Sequence, residues 1–157
     1  MFPAVTDLIP HRPPFLFVDE IVSTGPGVLV AKRVWRKEEA FYGGHYPGSP
    51  ITPGVLLCES VVQTGALLVT LSQLSAGENP TGTPPGMPIL VKINDVRFRL
   101  PVFPGETTTI DVKQKEWIGS FGLLSGTMRC GDKRILNIEF TVTFRDPAAS
   151  SAVSPPA

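Results

Sequence analysis

The stretch GGHYPGSPITPGVLLCESVVQTG, residues 43–65, joins a Gly/Pro-rich loop to an apolar helix and organises the rest of the chain. From residue 55 to residue 71 nearly every helical face is apolar, and such a helix is normally buried at the centre of a domain. Thr52 suits the N-cap and Pro53 the first helical position. We therefore predict a buried helix that starts at this loop and is covered by the other elements.

One carboxylate interrupts the apolar run. Glu59 and Gln63 stand four residues apart and so share a helix face, which makes Gln63 a candidate substrate contact. An ionised carboxylate among apolar side chains is costly, so Glu59 should be paired, face a solvated cavity, or be protonated. His45 lies upstream in a loop that can bend back over the helix start. A histidine and a glutamic acid facing one pocket suit acid–base chemistry, although such a pair can also simply hold a core together.

The start of the helix adds a possible site for a developing negative charge. The backbone N–H groups of Gly54 and Val55 fall in the first turn, where no intrahelical carbonyl can accept from them. Backed by the helix dipole, they could hold a carbonyl oxygen as it gains charge. Glycine at position 54 also lets a substrate approach the backbone closely. The segment could thus supply a base, an acid and an oxyanion site.

Strand patterns surround the helix. Two strands are predicted before it and four after it, and short turns separate the last four. The predicted strands cover residues 15–22, 28–35, 89–100, 107–117, 121–129 and 134–144. Residues 77–88 form a Pro/Gly-rich loop, either a lid or a disordered insertion. The sequence predicts one α+β domain over residues 1–146, followed by a disordered Ala/Ser/Pro tail over 147–157.

Composition narrows the classes of function. Fourteen basic residues balance fourteen acidic ones, so no overall field favours nucleic acid or an anionic membrane as a partner. Polar or charged residues interrupt every apolar run, which argues against membrane insertion. The first ten residues lack the features of a signal peptide, so a cytoplasmic protein is expected. The two cysteines, Cys58 and Cys130, show no metal-binding spacing, and no metal site is expected.

Two further residues have competing interpretations. Cys58 adjoins Glu59, but adjacent helix positions point about 100° apart, so a packed core thiol is preferred over a nucleophile. His11 lies in a proline-rich turn, between Pro10 and Arg12. A hydrogen-bonded structural histidine is preferred there over a catalytic one.

Four segments between residues 7 and 144 resemble a known family, the β-hydroxyacyl-acyl carrier protein dehydratases of the FabZ type, from bacterial fatty acid synthesis. The segments are LIPHRPPFLFVDEI, GGHYPGSPITPGVLLCESVVQTG, VKINDVRFRLPVFPGE and NIEFTVTF. In the second, the spacing HxPGxPxxPGVLxxE matches the family's active-site motif without a gap. A glutamate at position 59 resembles this branch, whereas the related dehydratase-isomerases carry aspartate there.

The resemblance implies a mechanism and an architecture. It implies that His45 is the catalytic histidine, oriented by the Ile51 carbonyl, and that Glu59 is the catalytic carboxylate. It assigns the Gly54 N–H to the thioester carbonyl of a 3-hydroxyacyl group on acyl carrier protein. It further implies a hot-dog fold, no metal or organic cofactor, and a homodimer or a trimer of dimers. Each pocket would lie at the seam, with His45 from one chain and Glu59 from the other.

The chain also departs from the family pattern. Tyr46, a candidate substrate contact, stands where phenylalanine is commoner, and Leu100 replaces a usual basic residue. Arg97 and Arg99 alternate with apolar residues and so share one strand face. That face could contact substrate or an acidic carrier protein, or it could simply be solvated.

Two other functions remain open alongside a dehydratase of fatty acid or related polyketide biosynthesis. One is an acyl thioesterase with the same fold, in which a carboxylate on the central helix activates water. The spacing of His45 and Glu59 argues against it. The other is a non-catalytic subunit that binds acyl thioesters, which the presence of both motif residues disfavours.

Overall fold

A computed structural model describes residues 1–75 and 87–145 and shows one antiparallel sheet around one long helix. The predictions of a lid and of a disordered tail fall outside the described residues. Of the loop predicted at residues 77–88, only Met87 and Pro88 are described, and they belong to a strand. The described elements are α1 (Val5–Leu8), β1 (Glu20–Gly25), β2 (Val28–Val34), a 3₁₀ turn (Ala40–Gly43), α2 (Gly54–Ser75), β3 (Met87–Phe98), β4 (Thr107–Ile118), β5 (Phe121–Cys130) and β6 (Lys133–Arg145).

All six strands form a single sheet in the order β1-β2-β4-β5-β6-β3, and every neighbouring pair is antiparallel. Consecutive strands β4, β5 and β6 pair as hairpins, whereas β3 lies at the far edge beyond β6. Along β2 and β5 the buried residues alternate with less buried ones, so one face of the sheet covers the helix. This is the hot-dog architecture, and the predicted fold class is confirmed.

Helix α2 is the core of the protein. It is 22 residues long, and its most apolar window of 18 residues has a mean hydropathy of 1.7, so it is long and apolar enough to cross a membrane. Polar residues such as Glu59 and Gln63 do interrupt the helix, but the expectation that they leave no run long enough to span a membrane was wrong. However, 72% of this apolar window is buried inside the protein, as is normal for a helix that a sheet surrounds.

Two glycines allow the helix and sheet to pack closely. A Cβ on Gly126 of β5 would lie 2.1 Å from Cγ1 of Val61, and one on Gly65 of α2 would lie 2.7 Å from Cζ of Phe140. Real Cβ atoms do not approach other atoms so closely, and the densely packed interior leaves little room for either segment to shift. Glycine at both positions therefore allows α2 to lie close to β5 and β6.

The strand predicted at residues 15–22 begins only at Glu20, because the preceding backbone bonds to α2 instead of to a strand. The N–H of Phe17 donates to Oε1 of Gln63 at 2.8 Å, and the hydroxyl of Ser60 donates to the Phe17 carbonyl at 2.6 Å. This docked segment lies over the helix face that carries Glu59.

The helix begins one residue later than predicted. Thr52 does not cap it, because its hydroxyl bonds the Tyr42 hydroxyl at 2.6 Å and its N–H donates to the Val102 carbonyl at 2.8 Å. The Pro53 carbonyl accepts the first backbone bonds of the helix. Thr52 thus ties the helix start to its neighbours while leaving the first-turn donors available.

A buried arginine joins the segment before β1 to the segment before the 3₁₀ turn. Arg33 is 4% exposed and forms ion pairs with Asp19 and Glu39. Its guanidinium carbon also lies 5.5 Å from the ring centre of Phe17 and 5.2 Å from that of Trp35. Such a paired, stacked charge holds its partners in one arrangement, since a buried charge without its carboxylates would be costly.

Candidate active site

The loop before α2 holds the imidazole of His45 in one orientation. Nδ1 of His45 lies 2.8 Å from the carbonyl oxygen of Ile51, the contact expected from the sequence. A carbonyl can only accept, so Nδ1 carries the hydrogen in this pair. In the neutral ring the lone pair is then on Nε2, the nitrogen that could remove a proton from a substrate.

Tyr46 packs against His45 and adopts an unusual backbone conformation. Its φ angle is +58°, in the left-handed region that bulky residues rarely occupy. Its ring meets the His45 ring edge-on, with ring centres 4.7 Å apart, and the residue is 62% exposed. Backbone strain of this kind is found where the surrounding structure enforces it, which agrees with a candidate functional loop.

The start of α2 presents free donors to a cleft. Among the described residues, no group accepts a hydrogen bond from the N–H of Gly54 or of Val55. Val55 itself is 75% exposed. Ile51, Gly54 and the ring of Phe98 line a cleft of about 290 Å³ at this point. Gly54, one of the two predicted oxyanion donors, therefore lies beside a space that a carbonyl group could enter.

Glu59 is less enclosed than the sequence suggested. Its side chain is 21% exposed, and Nε2 of Gln63 donates to its Oε1 at 3.0 Å. Nε2 of His11 lies 3.6 Å from the same oxygen. Of the three expectations for this carboxylate, pairing with polar partners agrees best with the structure.

Gln63 was predicted to contact substrate, and the structure gives it a different place. The residue is 0% exposed. Its amide donates to the Phe15 carbonyl at 3.1 Å and to Glu59, and its oxygen accepts from the Phe17 N–H. With every amide group engaged inside the chain, Gln63 orients Glu59 rather than meeting a ligand.

Arg97, in β3, and Arg99, just after it, differ in position. Arg99 and Leu100 line the cleft beside Gly54, and Nε of Arg99 lies 3.4 Å from Oδ1 of Asn137. Arg97 is exposed and does not line that cleft. Arg99 is thus the better placed of the two for a substrate.

His11 was expected to be a hydrogen-bonded structural residue rather than a catalytic one, and the expected hydrogen bonds of its ring are absent from the described residues. Its Nδ1 is buried without a hydrogen-bond partner among the described residues, and its Nε2 faces Glu59. Burial is the main cause that lowers the pKa of His11 below 6.5, while the Glu59 charge raises it and Arg12 lowers it further. The sequence offered only the proline-rich turn as a signal, which does not reveal contact with α2.

His45 and Glu59 form no ion pair within the described part of one chain, where Glu59 meets His11 instead. Nor do residues 1–75 and 87–145 contain a cluster of three or more histidine, cysteine or acidic residues that could hold a metal ion.

Cys58 is a buried thiol rather than an activated one. Burial raises its pKa to about 11. Because the thiolate is the nucleophilic form, only about one part in ten thousand is reactive at neutral pH. The interpretation of Cys58 as a packed core residue agrees with this environment.

We therefore expect Cys58→Ala to keep near-normal turnover of an acyl thioester, and iodoacetamide to label Cys58 slowly at pH 7. Steady-state rates and mass spectrometry of the alkylated protein measure both. A loss of activity by two orders of magnitude in a folded Cys58→Ala protein would restore the nucleophile hypothesis.

Comparisons with known proteins find both similar sequences and similar folds. A family model described as FabA-like domain matches residues 9–139. A 3-hydroxyacyl-[acyl-carrier-protein] dehydratase FabZ of Symbiobacterium thermophilum is 37% identical over 140 residues, covering 88% of this chain and 91% of the relative. The dehydratase heterocomplex ApeI:P from Xenorhabdus doucetiae superposes with a TM-score of 0.80 at 12% identity, covering 94% of each chain.

Proteins described as thioesterases share the fold as well. A hypothetical thioesterase from Streptococcus pneumoniae, solved with coenzyme A, superposes with a TM-score of 0.59 at 12% identity and covers 81% of this chain and 88% of its own. At such identities the likeness shows the fold alone, so the activity has to be argued from the site.

Proposed function

Because the chain belongs to the FabA-like domain family, among the FabZ-type dehydratases, we propose that it removes water from a 3-hydroxyacyl thioester carried by acyl carrier protein. The product is a trans-2-enoyl thioester, and the enzyme is a hydro-lyase of fatty acid or related acyl biosynthesis. The observation that carries the proposal is the bond from His45 Nδ1 to the Ile51 carbonyl, because it leaves Nε2 as the base.

His45 starts the reaction by removing the α-proton of the substrate. Nε2 takes this proton, and the imidazolium that forms keeps its Nδ1–H on Ile51. The α-proton is acidic enough only if the thioester oxygen is stabilised as it gains charge. The N–H of Gly54, with that of Val55 beside it, supplies this stabilisation at the start of α2.

Glu59 completes the elimination. In its protonated form it gives a proton to the β-hydroxyl, the C–O bond breaks, and water leaves as the α–β double bond forms. His45 then holds one extra proton and Glu59 lacks one, so the cycle closes when a proton passes between them through the released water. No metal or organic cofactor has a part in these steps.

The site is proposed to form between two chains. Glu59 has His11 and Gln63 as its neighbours within one chain, and β3 lies at the edge of the sheet with its backbone open on one side. Phe98 of β3 and Leu100 after it are large, apolar and exposed close to Gly54. Pairing of two such edges would cover these side chains and bring His45 of one chain to Glu59 of the other.

The carrier protein is the proposed partner. Arg99 at the cleft is a basic group that would favour docking of an acidic surface of the carrier protein. A dimer is the smallest assembly that completes the site, and a trimer of dimers is compatible with it. The burial of α2 within the sheet supports a helix that does not insert into a membrane, and we propose that the protein acts in the cytoplasm.

One incubation separates the three candidate functions. The protein is mixed with 3-hydroxybutyryl thioester, and both the enoyl product and free thiol are measured. We expect enoyl thioester without free thiol. Release of free thiol would instead support the thioesterase, and no turnover with either a coenzyme A or a carrier-protein thioester would support the non-catalytic subunit.

A further inference from the structure

The imidazole of His11 lies beside Glu59 but has no part in the proposed reaction. Its Nε2 is 3.6 Å from Oε1 of Glu59, and the two side chains are 27% and 21% exposed. This distance is longer than a hydrogen bond, so the contact is close but not yet made.

The surroundings of His11 determine which nitrogen carries its hydrogen. Nδ1 is buried and has no partner in the described part of the chain. A buried N–H without an acceptor is costly, so the neutral ring holds its hydrogen on Nε2. Burial, the largest influence on its pKa, keeps the ring neutral near pH 7. A neutral N–H donor therefore points towards Glu59.

Both sides of this contact are held in place. Nη1 of Arg12 donates to the carbonyls of Ile9 at 2.9 Å and of His11 at 2.7 Å, which stabilises the turn. On the other side, Gln63 donates to Oε1 of Glu59 at 3.0 Å. The two donors thus converge on Oε1. No group of the described residues donates to Oε2, which leaves that oxygen free for the substrate.

We propose that His11 is a positioning residue for Glu59, whose Nε2–H closes onto Oε1 as Glu59 passes its proton from Oε2 to the departing hydroxyl group. The inference rests on the proposed dehydratase function. As the O–H bond of Glu59 breaks, negative charge develops on the carboxylate, and a hydrogen bond to a charged acceptor is stronger than one to a neutral acceptor. A shift of about 0.7 Å brings the pair to ordinary hydrogen-bond length. Bonds of this kind are often long before substrate binds.

A matched pair of variants tests the donor. His11→Gln and His11→Met have side chains of equal length, and only glutamine can donate to Oε1. We expect His11→Met to lower kcat by about tenfold to a hundredfold with little change in KM, because the donor acts when Glu59 becomes charged. His11→Gln should recover most of kcat. Equal kcat in two folded variants would overturn the proposal.

The same His11 substitution in a protein that already carries Glu59→Gln shows whether His11 acts through Glu59. In a Glu59→Gln protein the carboxylate no longer becomes charged, so adding His11→Met should change the residual rate little. If the two losses multiply, His11 does not act through Glu59 and the proposal is wrong. Thermal midpoints are measured for all variants, and His11→Leu replaces His11→Met should the latter fail to fold.

The same assays separate this inference from the function on which it rests. A wild-type protein that forms no enoyl thioester contradicts the proposed function itself. A wild-type protein that forms it, together with a His11→Met variant of equal kcat, contradicts only the role of His11.

Discussion

Replacing Gly54 by proline should lower kcat by about a hundredfold to a thousandfold relative to Gly54→Ala. Proline removes the N–H that we assign to the thioester oxygen, whereas alanine keeps it. Both variants add a Cβ, which would lie 3.1 Å from the Phe98 ring, so the crowding at Cβ is matched. Proline is tolerated at the first position of a helix, where its fixed φ suits the backbone.

The comparison is made on kcat for a 3-hydroxyacyl thioester, with circular dichroism and thermal midpoints to show that both variants fold. A folded Gly54→Pro protein as active as Gly54→Ala would exclude the Gly54 N–H as the essential donor. The N–H of Val55 would then be the next candidate, since it is also free among the described residues.

His45→Asn should lower kcat by about a hundredfold to ten-thousandfold, the usual range for loss of a general base. The Asn amide nitrogen falls near the position of Nδ1 and can still donate to the Ile51 carbonyl, so the loop stays anchored. What asparagine lacks is the lone pair at Nε2. The variant therefore separates the chemical role of His45 from its role in holding the loop.

Steady-state rates of dehydration and the thermal midpoint are the measurements. If His45 serves only to anchor the loop, His45→Asn keeps near-normal turnover, and that result would remove the base from the mechanism. A comparison with His45→Ala, which loses both the anchor and the base, shows how much the Ile51 contact adds.

The helix and most of the strands were predictable because their signals are local. The apolar run of residues 55–71 lies within α2, and the predicted strands at 107–117, 121–129 and 134–144 differ from β4, β5 and β6 by a residue or two. Short turns of hairpin length between them explain this success, since they leave few ways to connect the strands. Their assembly into a hot-dog fold came from the resemblance of the motifs and not from periodicity.

Contacts between distant segments could not be predicted. The bond from the Phe17 N–H to Gln63 spans 46 residues, and it replaced the strand predicted there. The same docking turned Gln63 inward and brought His11 to Glu59. Nothing in the pattern around residues 11–17 signals an acceptor on another element, so local propensity predicted a strand where a tertiary contact prevailed.

The prediction of function depended on the motif rather than on the fold. Thioesterase-like proteins superpose on this chain with much the same architecture, so the sheet and helix alone do not select an activity. The spacing between His45, Gly54 and Glu59 was visible in the sequence, and the structure adds the Ile51 contact and the free donors of the first helical turn.

The central claim is that His45 and Glu59 act together at a site shared by two chains. The most direct test is to refold differently tagged His45→Asn and Glu59→Gln proteins together, isolate the population that contains mixed dimers, and measure dehydration. Each mixed dimer would hold one doubly substituted pocket and one wild-type pocket. With random pairing half of the dimers are mixed, so the unfractionated mixture should regain about one quarter of wild-type activity and the isolated mixed dimers about one half, while either variant refolded alone keeps only its low residual rate. Mixed dimers without recovered activity would contradict the shared site.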